Sequence, residues 1–284
     1  MSEPAKPRMA VIGLGSMGFG MATSLRRAGF EVTGCDVSAD SVARFVADGG
    51  KGAKSPADAA KDADIVVSVV VNAAQTEAIL FGAGGVAETL AKGAVFISSA
   101  TMDPDVARRL AKQLEASGRH YLDAPISGGA QRAAQGELTI LASGSPAAFE
   151  KARPALDAMA AKLYELGDAA GQGAAFKMIN QLLAGVHIAA ASEAITFAAK
   201  QGLDIRKVYE VITASAGNSW MFENRMPHVL DGDYAPRSAR RKVSSRSSPR
   251  AVRPRLRKPA PRSMQWRPNS TSSAMRRGKA RRSR

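Results

Sequence analysis

Residues 9–18, MAVIGLGSMG, constrain the chain more than any other stretch. Four apolar-leaning residues lead into Gly13-Leu14-Gly15-Ser16-Met17-Gly18, and an alanine- and leucine-bearing segment follows to Ala28. This order reads as strand, tight turn and helix. Gly13 can adopt the backbone angles of the turn, Gly15 lets main chain approach a pyrophosphate, and Gly18 lets the helix pack on the strand. The helix then aims its free N–H groups and positive dipole end at phosphates. The glycines alone would equally suit a turn with no ligand. A second strand, Glu31–Cys35, ends in Asp36. An acid about 20 positions beyond the glycines accepts hydrogen bonds from the adenosine ribose and repels a 2′-phosphate. Together these features indicate a dinucleotide site.

The following residues repeat the alternation. Ser38–Asp48 reads as a helix ended by Gly49-Gly50, and a short strand near Ala53 precedes a helix start at Ser55-Pro56. Asp64–Val71 is a continuous β-branched run of the kind buried on both faces of a parallel sheet. Loop and helix over Asn72–Phe81, a strand at Val95–Ser99, a helix from Asp103-Pro104 to about Ser117 and a strand at Tyr121–Ala124 continue the series. Leu138–Ala142 and Lys162–Leu166 read as closing strands around a helix at Pro146–Met159. The expected fold is α/β, a doubly wound parallel sheet of Rossmann type. From Gly171 the pattern becomes helical: Ala174–Lys200 is one long alanine-rich segment, followed by helices over Leu203–Thr213 and Ser219–Met226. We therefore expect a dinucleotide-binding domain at 1–168, a helical substrate and association domain at 169–236, and a separate segment at 237–284.

Charge isolates that last segment. Residues 237–284 hold 18 Lys and Arg, 15 of them arginine, and no acid; elsewhere 22 basic residues face 25 acidic ones. The folded part is thus near neutral, and the +15 of the whole chain belongs to residues 237–284. Arg, Ser and Pro dominate there, without periodicity, which predicts disorder. The charge would permit salt-sensitive phosphate binding. With one tryptophan and no Tyr or Phe to stack on bases, the segment does not lead us to expect nucleic acid as the partner. The single cysteine, Cys35, reads as a buried thiol. No N-terminal signal region and no run of about 18 apolar residues stand out, so a cytoplasmic protein without a membrane partner is expected.

Candidate chemistry lies at the carboxyl ends of the strands and at the start of the long helix. Lys177, Asn180 and Gln181 share one helix face. Spacing alone leaves Lys177 either an exposed helix lysine or a partly buried amine whose lowered pKa suits proton transfer. Ser127-Gly128-Gly129 follows a strand end and could present backbone N–H groups to a carboxylate, or be an ordinary turn. Thr101 could line the ligand or serve helix entry. His120, His187 and His228 lack metal-ligand spacing.

These pieces resemble the β-hydroxyacid dehydrogenases, the group of 3-hydroxyisobutyrate and tartronate-semialdehyde enzymes. The resemblance covers about residues 8–239. It rests on VIGLGSMGFGMATSLRRAGF (11–30), SSATMDP (98–104), YLDAPISGGAQRAAQGELTI (121–140) and GQGAAFKMINQLL (171–183). VVVNAAQTEAILFG (69–82), INQLLAGVHIAAASEA (179–194) and SAGNSWMFENRMPHVLDGDY (215–234) point to the branch acting on a small sugar acid. The resemblance implies oxidation of a small hydroxy acid, with NAD as cofactor favoured by Asp36. Lys177 would be the acid–base, Asn180 would orient it, and Ser127, Gly128, Gly129 and Thr101 would meet the substrate. Gly13, Leu14, Gly15, Ser16, Met17, Gly18, Asp36, Val70, Val71, Gln75 and Thr101 would contact the cofactor. A homo-oligomer is expected, because family members pair through their helical domains. The family pattern continues with a helix bearing a Lys-Asp pair. Here that lysine would fall near Ser245, and Arg240-Arg241-Lys242 and the basic segment stand instead. This departure suggests a truncated second domain and an out-of-frame reading of a GC-rich gene. The competing expectations are a dehydrogenase for 3-hydroxyisobutyrate or another small hydroxy acid, and an inactive nucleotide-binding protein with a basic tail.

Overall fold

A computed structural model of the chain describes residues 6–233. Its centre is a six-stranded sheet of β1 (Met9–Ile12), β2 (Val32–Cys35), β3 (Lys51–Gly52), β4 (Ile65–Ser68), β5 (Val95–Ser98) and β6 (His120–Asp123). The strands lie in the order β3-β2-β1-β4-β5-β6 and every pairing is parallel. The winding reverses between β1 and β4, so the crevice at their carboxyl ends is where such a fold receives its ligand.

Helices α1 (Gly18–Arg27), α2 (Ala39–Ala47), α3 (Pro56–Ala60), α4 (Ala73–Phe81), α5 (Val86–Thr89) and α6 (Pro104–Glu115) connect the strands. Ser38, Ser55, Asn72 and Asp103 cap α2, α3, α4 and α6 by accepting a first-turn N–H, each worth about 1 kcal/mol. Strands β1, β4 and β5 are buried at every residue. One apolar layer gathers around Val11, Val67 and Ile97, the other around Ala10, Val66 and Phe96. Alternate residues thus feed opposite layers, as burial on both faces requires. Cys35 is a free, buried thiol whose pKa burial raises.

Two expectations about strands change. The β-branched run at Asp64–Val71 is a strand only to Ser68. Val69 still donates to the Ile12 carbonyl, but the Val71 N–H turns to the side chain of Gln75. The later strands do not close the main sheet. β7 (Ile126–Ser127), β8 (Leu138–Ala142) and β9 (Ala160–Glu165) form a second sheet, with β7 antiparallel and β9 parallel to β8. α7 (Gly129–Gln135) and α8 (Pro146–Met159) connect them. Asp123 and Ser143 link the two sheets by exchanging backbone hydrogen bonds of 3.0 and 2.8 Å.

The long helix α9 spans Gln172–Lys200, 29 residues, or about 43 Å. α10 (Ile205–Thr213) and α11 (Trp220–Leu230) pack on it through Ala191, Phe222 and Met226, with Tyr209 and Phe222 stacked at 5.9 Å. Much of the rest of α9 is uncovered: Phe176, Ile179, Leu182, Leu183, Val186 and Phe197 are exposed. Contrary to the sequence expectation, α9 is long and apolar enough to cross a membrane by length and composition. The expectation counted an unbroken apolar run, whereas the average over α9 absorbs isolated polar residues. The expectations for 237–284, including disorder, the missing Lys-Asp pair and the out-of-frame reading, lie outside the described residues.

Candidate active site

The glycine turn is shaped by close contacts. Gly13 has φ +96°, and a Cβ there would stand 2.3 Å from the Val69 carbonyl oxygen. A Cβ on Gly18 would stand 1.8 Å from the Gly13 carbonyl oxygen. Gly15 is different: it is exposed, and a Cβ would meet nothing within 4 Å. Gly13 and Gly18 are therefore demanded by the fold, whereas Gly15 borders open space. α1 begins beside that space at Met17 without a side-chain cap and with no acid in its first turn. The Phe19 N–H turns back to the Gly15 carbonyl at 3.0 Å, and the positive dipole end of the helix is left for an anion. A pyrophosphate fits this cradle.

Asp36 lies at the carboxyl end of β2, half-buried. Its Oδ2 accepts from the Leu14 N–H at 2.6 Å and its Oδ1 from the Ser38 N–H at 2.8 Å. The carboxylate is thereby fastened to the glycine turn, at the position where ribose hydroxyls are met in this fold. Val70, Val71 and Thr101 leave the carboxyl ends of β4 and β5, on the same edge as the turn. Val71 and Thr101 are exposed and Val70 is half-buried. Gln75 braces its own loop: its Oε1 accepts from the Val71 N–H at 2.9 Å, while its N–H donates to Asn72 Oδ1 at 3.0 Å.

Lys177 is buried, with 7% of its surface exposed. It sits in the second turn of α9, and its Nζ donates to the Ile126 carbonyl at 2.8 Å. Burial lowers its pKa, and among the described residues no acidic side chain pairs with it. The fold thus decides between the two readings of this lysine. The next residues after Ile126 are Ser127, Gly128 and Gly129. Gly128 and Gly129 have φ of +143° and +81°, and a Cβ on Gly129 would again meet only open space. The amine, the serine and the two glycines are therefore neighbours through one backbone carbonyl. Asn180 is on the same helix but exposed, and its Nδ2 donates to Gln181 Oε1 at 3.3 Å.

Two participants escaped the sequence reading. One is the Ile126 carbonyl, a main-chain group that no residue type marks. The other is Asp123, which is fully buried at the end of β6. Its Oδ2 accepts from the N–H groups of Gly171 (3.0 Å) and Ala174 (2.8 Å) and from Ser143 Oγ (3.3 Å), while no partner meets its Oδ1 among the described residues. Burial raises its pKa against the pull of these three donors and of Arg108. An acid ending an apolar strand was the only available signal, and its partners lie 20, 48 and 51 residues downstream. Among the described residues no cluster of His, Cys, Asp and Glu could hold a metal ion.

The chain matches two family models. Residues 8–167 match the NAD-binding domain of 6-phosphogluconate dehydrogenase, and residues 171–242 match the NAD-binding domain of NADP-dependent 3-hydroxyisobutyrate dehydrogenase. The L-threonate dehydrogenase of Cupriavidus necator is 53% identical over 231 residues, covering 81% of this chain and 78% of that protein. The L-threonate dehydrogenase of Escherichia coli K12 is 47% identical over 240 residues, 84% of this chain and 80% of that one. A crystal structure of 3-hydroxyisobutyrate dehydrogenase from Salmonella typhimurium, 48% identical, superposes with a TM-score of 0.78 over 82% of each chain.

Proposed function

Because the chain belongs to the β-hydroxyacid dehydrogenase family and is an NAD-dependent hydroxyacid dehydrogenase, we propose that its substrate is L-threonate, oxidised at C2 to the 2-oxo acid. The observation that carries the chemistry is the buried amine of Lys177 held 2.8 Å from the Ile126 carbonyl, beside Ser127-Gly128-Gly129. Identities of 47–53% to L-threonate dehydrogenases support the choice of substrate. NADH formation from L-threonate, set against 3-hydroxyisobutyrate and other small hydroxy acids, tests it. A higher kcat/KM for 3-hydroxyisobutyrate would replace this substrate with that one.

Lys177 acts as the base. A neutral amine takes the proton of the C2 hydroxyl as the C–H bond breaks and the carbonyl forms; NAD, when bound, supplies the hydride acceptor. Burial keeps the amine available in its neutral form, because an ammonium taken out of water is penalised. The Ile126 carbonyl accepts one hydrogen of Nζ and leaves its remaining positions for the substrate. Backbone N–H groups of Ser127, Gly128 and Gly129 bind the substrate carboxylate, Thr101 lines the site, and Asn180 orients the amine and the hydroxyl once substrate is bound. Gly13, Leu14, Gly15, Ser16, Met17 and Gly18 hold the pyrophosphate, and Val70, Val71 and Gln75 border the nicotinamide side. On this proposal residues 1–168 serve the cofactor and 169–236 serve substrate and association.

Asp36 sets the preference for NAD over NADP. Its carboxylate binds ribose hydroxyls and repels a 2′-phosphate. Asp36→Ala is expected to raise the KM for NAD by about 10-fold, the value of one or two lost hydrogen bonds to a charged group. The same change narrows the NAD-to-NADP ratio of kcat/KM. An unchanged ratio in steady-state assays would remove Asp36 from cofactor choice.

The uncovered apolar face of α9 supports a homo-oligomer. Its row of exposed apolar side chains from Phe176 to Phe197 is the kind of surface that marks an association site. Light scattering should give a mass at least twice that of one chain. Ile179→Glu with Leu182→Glu should reduce it to one. Partition into lipid vesicles by the wild-type protein would instead make this helix a membrane element. We propose the cytoplasm as its place of work, which suits a free buried Cys35.

A further inference from the structure

We infer that Asp123 is a positioning residue for Lys177, locking the start of α9 and the carbonyl that receives the amine to one buried carboxylate. This inference rests on the reading of Lys177 as the acid–base. Helix α9 has no cap of its own: Gly171 stands at the N-cap with φ +106° and no side chain, and the first turn contains no acid. A serine or asparagine at that position would satisfy the helix locally. The first-turn donors instead reach another part of the chain. Gly171 and Ala174 donate to Asp123 Oδ2, and Gly173 donates to Ser143 Oγ at 3.0 Å, which in turn donates to Asp123 Oδ2. Asp123 and Ser143 are both fully buried and are joined through their backbones.

The helix seat is close. A Cβ on Gly173 would lie 2.3 Å from the Leu141 carbonyl oxygen and 3.0 Å from that of Asp123. Lys177 follows Gly173 and Ala174 by four and three residues, so it rises from the face they press against the strand ends. Asp123 also begins the segment Ala124-Pro125-Ile126, whose last carbonyl receives Nζ at 2.8 Å. One carboxylate therefore anchors both ends of the arrangement: the helix that carries the amine and the strand exit that accepts from it. A slip of α9 by one residue would carry Nζ about 1.5 Å along the axis and away from that carbonyl. Burying a carboxylate with one oxygen unpartnered is costly. Capping alone does not require that cost, whereas registration between distant elements does. Burial lowers the pKa of the Lys177 amine. The donors that reach Asp123 Oδ2 are two backbone N–H groups and a hydroxyl, all neutral, so a neutral acceptor of the same shape should serve.

The test compares Asp123→Ala, Asp123→Asn and Ser143→Ala in the full chain, with Lys177→Ala as control. Each is assayed with L-threonate and NAD. Each is also acylated without cofactor by a water-soluble succinimidyl ester, and modification at Lys177 is mapped by mass spectrometry. Asp123→Ala should lower kcat by about 100-fold, the effect of misplacing a reacting group by about 1 Å, and leave the KM for NAD within about threefold. Lys177 should be acylated about 10-fold faster in that variant, as an amine released from burial. Asp123→Asn should restore kcat to within about 10-fold and keep Lys177 protected, because its amide oxygen can take the place of Oδ2 and accept from the helix start. If Asp123→Ala does not fold, Ser143→Ala decides, with a kcat lowered by about 10-fold and faster acylation. Wild-type kcat and protection in Asp123→Ala, or in Ser143→Ala where that decides, overturn the inference when Lys177→Ala is inactive. So does an Asp123→Asn protein as slow as the alanine variant with Lys177 still protected. Activity retained by Lys177→Ala would overturn the reading of the lysine instead, and the acylation rates would then judge Asp123 alone.

Discussion

Lys177→Ala is expected to lower kcat for hydroxy-acid oxidation by about 10³-fold or more, the usual contribution of a positioned acid–base group. NAD affinity should stay within about threefold, because the dinucleotide cradle lies on α1 and β2 and not on α9. The pH dependence follows from burial. On the proposed role the base works neutral, so oxidation should rise with pH along a limb set by the Lys177 amine. That limb lies below the usual lysine range, because burial lowers the pKa. Reduction of the oxo acid needs the ammonium, so its rate falls as pH rises through the same value. Stability has a definite sign as well. With the folded pKa below the unfolded one, the unfolded chain binds more protons between the two values, and stability rises with pH across that window. Below it the native state carries a buried ammonium. Lys177→Met removes the cost of burying or discharging this amine, so its Tm should be unchanged or raised while turnover is lost. A Met variant with near wild-type kcat, or an oxidation limb at the position of a solvent-exposed lysine, would remove this residue from the chemistry.

The largest effect on the cofactor half is expected in the glycine turn, split between its members. Gly18→Ala places a methyl group 1.8 Å from the Gly13 carbonyl oxygen. The turn and α1 must then separate, at a cost of roughly 3 kcal/mol or more, as for severe overpacking of backbone against backbone. Thermal unfolding should report this as a loss of several degrees. Gly15→Val should behave in the opposite way. Its added side chain meets no protein atom at the Cβ position, so Tm should hold, while the side chain fills the space a pyrophosphate would occupy. NAD binding by calorimetry should weaken by about 100-fold or more, equivalent to about 3 kcal/mol. A Gly15→Val protein that binds NAD like wild type would show that this turn does not cradle the dinucleotide. The contrast matters because both glycines belong to one motif, and only their surroundings separate folding from binding.

Much of the nucleotide half was legible before any coordinates. Local signals sufficed because each element there declares itself over a few residues. Ser38, Ser55, Asn72 and Asp103 mark helix starts by hydrogen-bonding within their own turns, and runs such as IVVS can be stable only where both faces are covered. The end of β4 at Ser68 was less legible, since valines suit a strand and a loop edge alike and only the Gln75 side chain diverts Val71. The second sheet was illegible for a related reason. The patterns of β8 and β9 require partners but do not say which, and the two-residue β7 has too little sequence to announce itself.

By itself the sequence determined that a strand, a glycine turn and a helix would stand before an acid-tipped second strand, and that a long apolar helix would follow the sheet. It also brought together the residue types of the site proposed to transfer a proton. It left undecided whether Lys177 faced water. Tertiary structure decided that, by setting the start of α9 on the strand ends and closing the Ile126 carbonyl over the amine. It also decided what Asp123 is for, through hydrogen bonds spanning 48 and 51 residues. The physical reason is range. Propensity, capping and periodicity act within one or two turns of chain, whereas the burial of a charge depends on every element that packs around it.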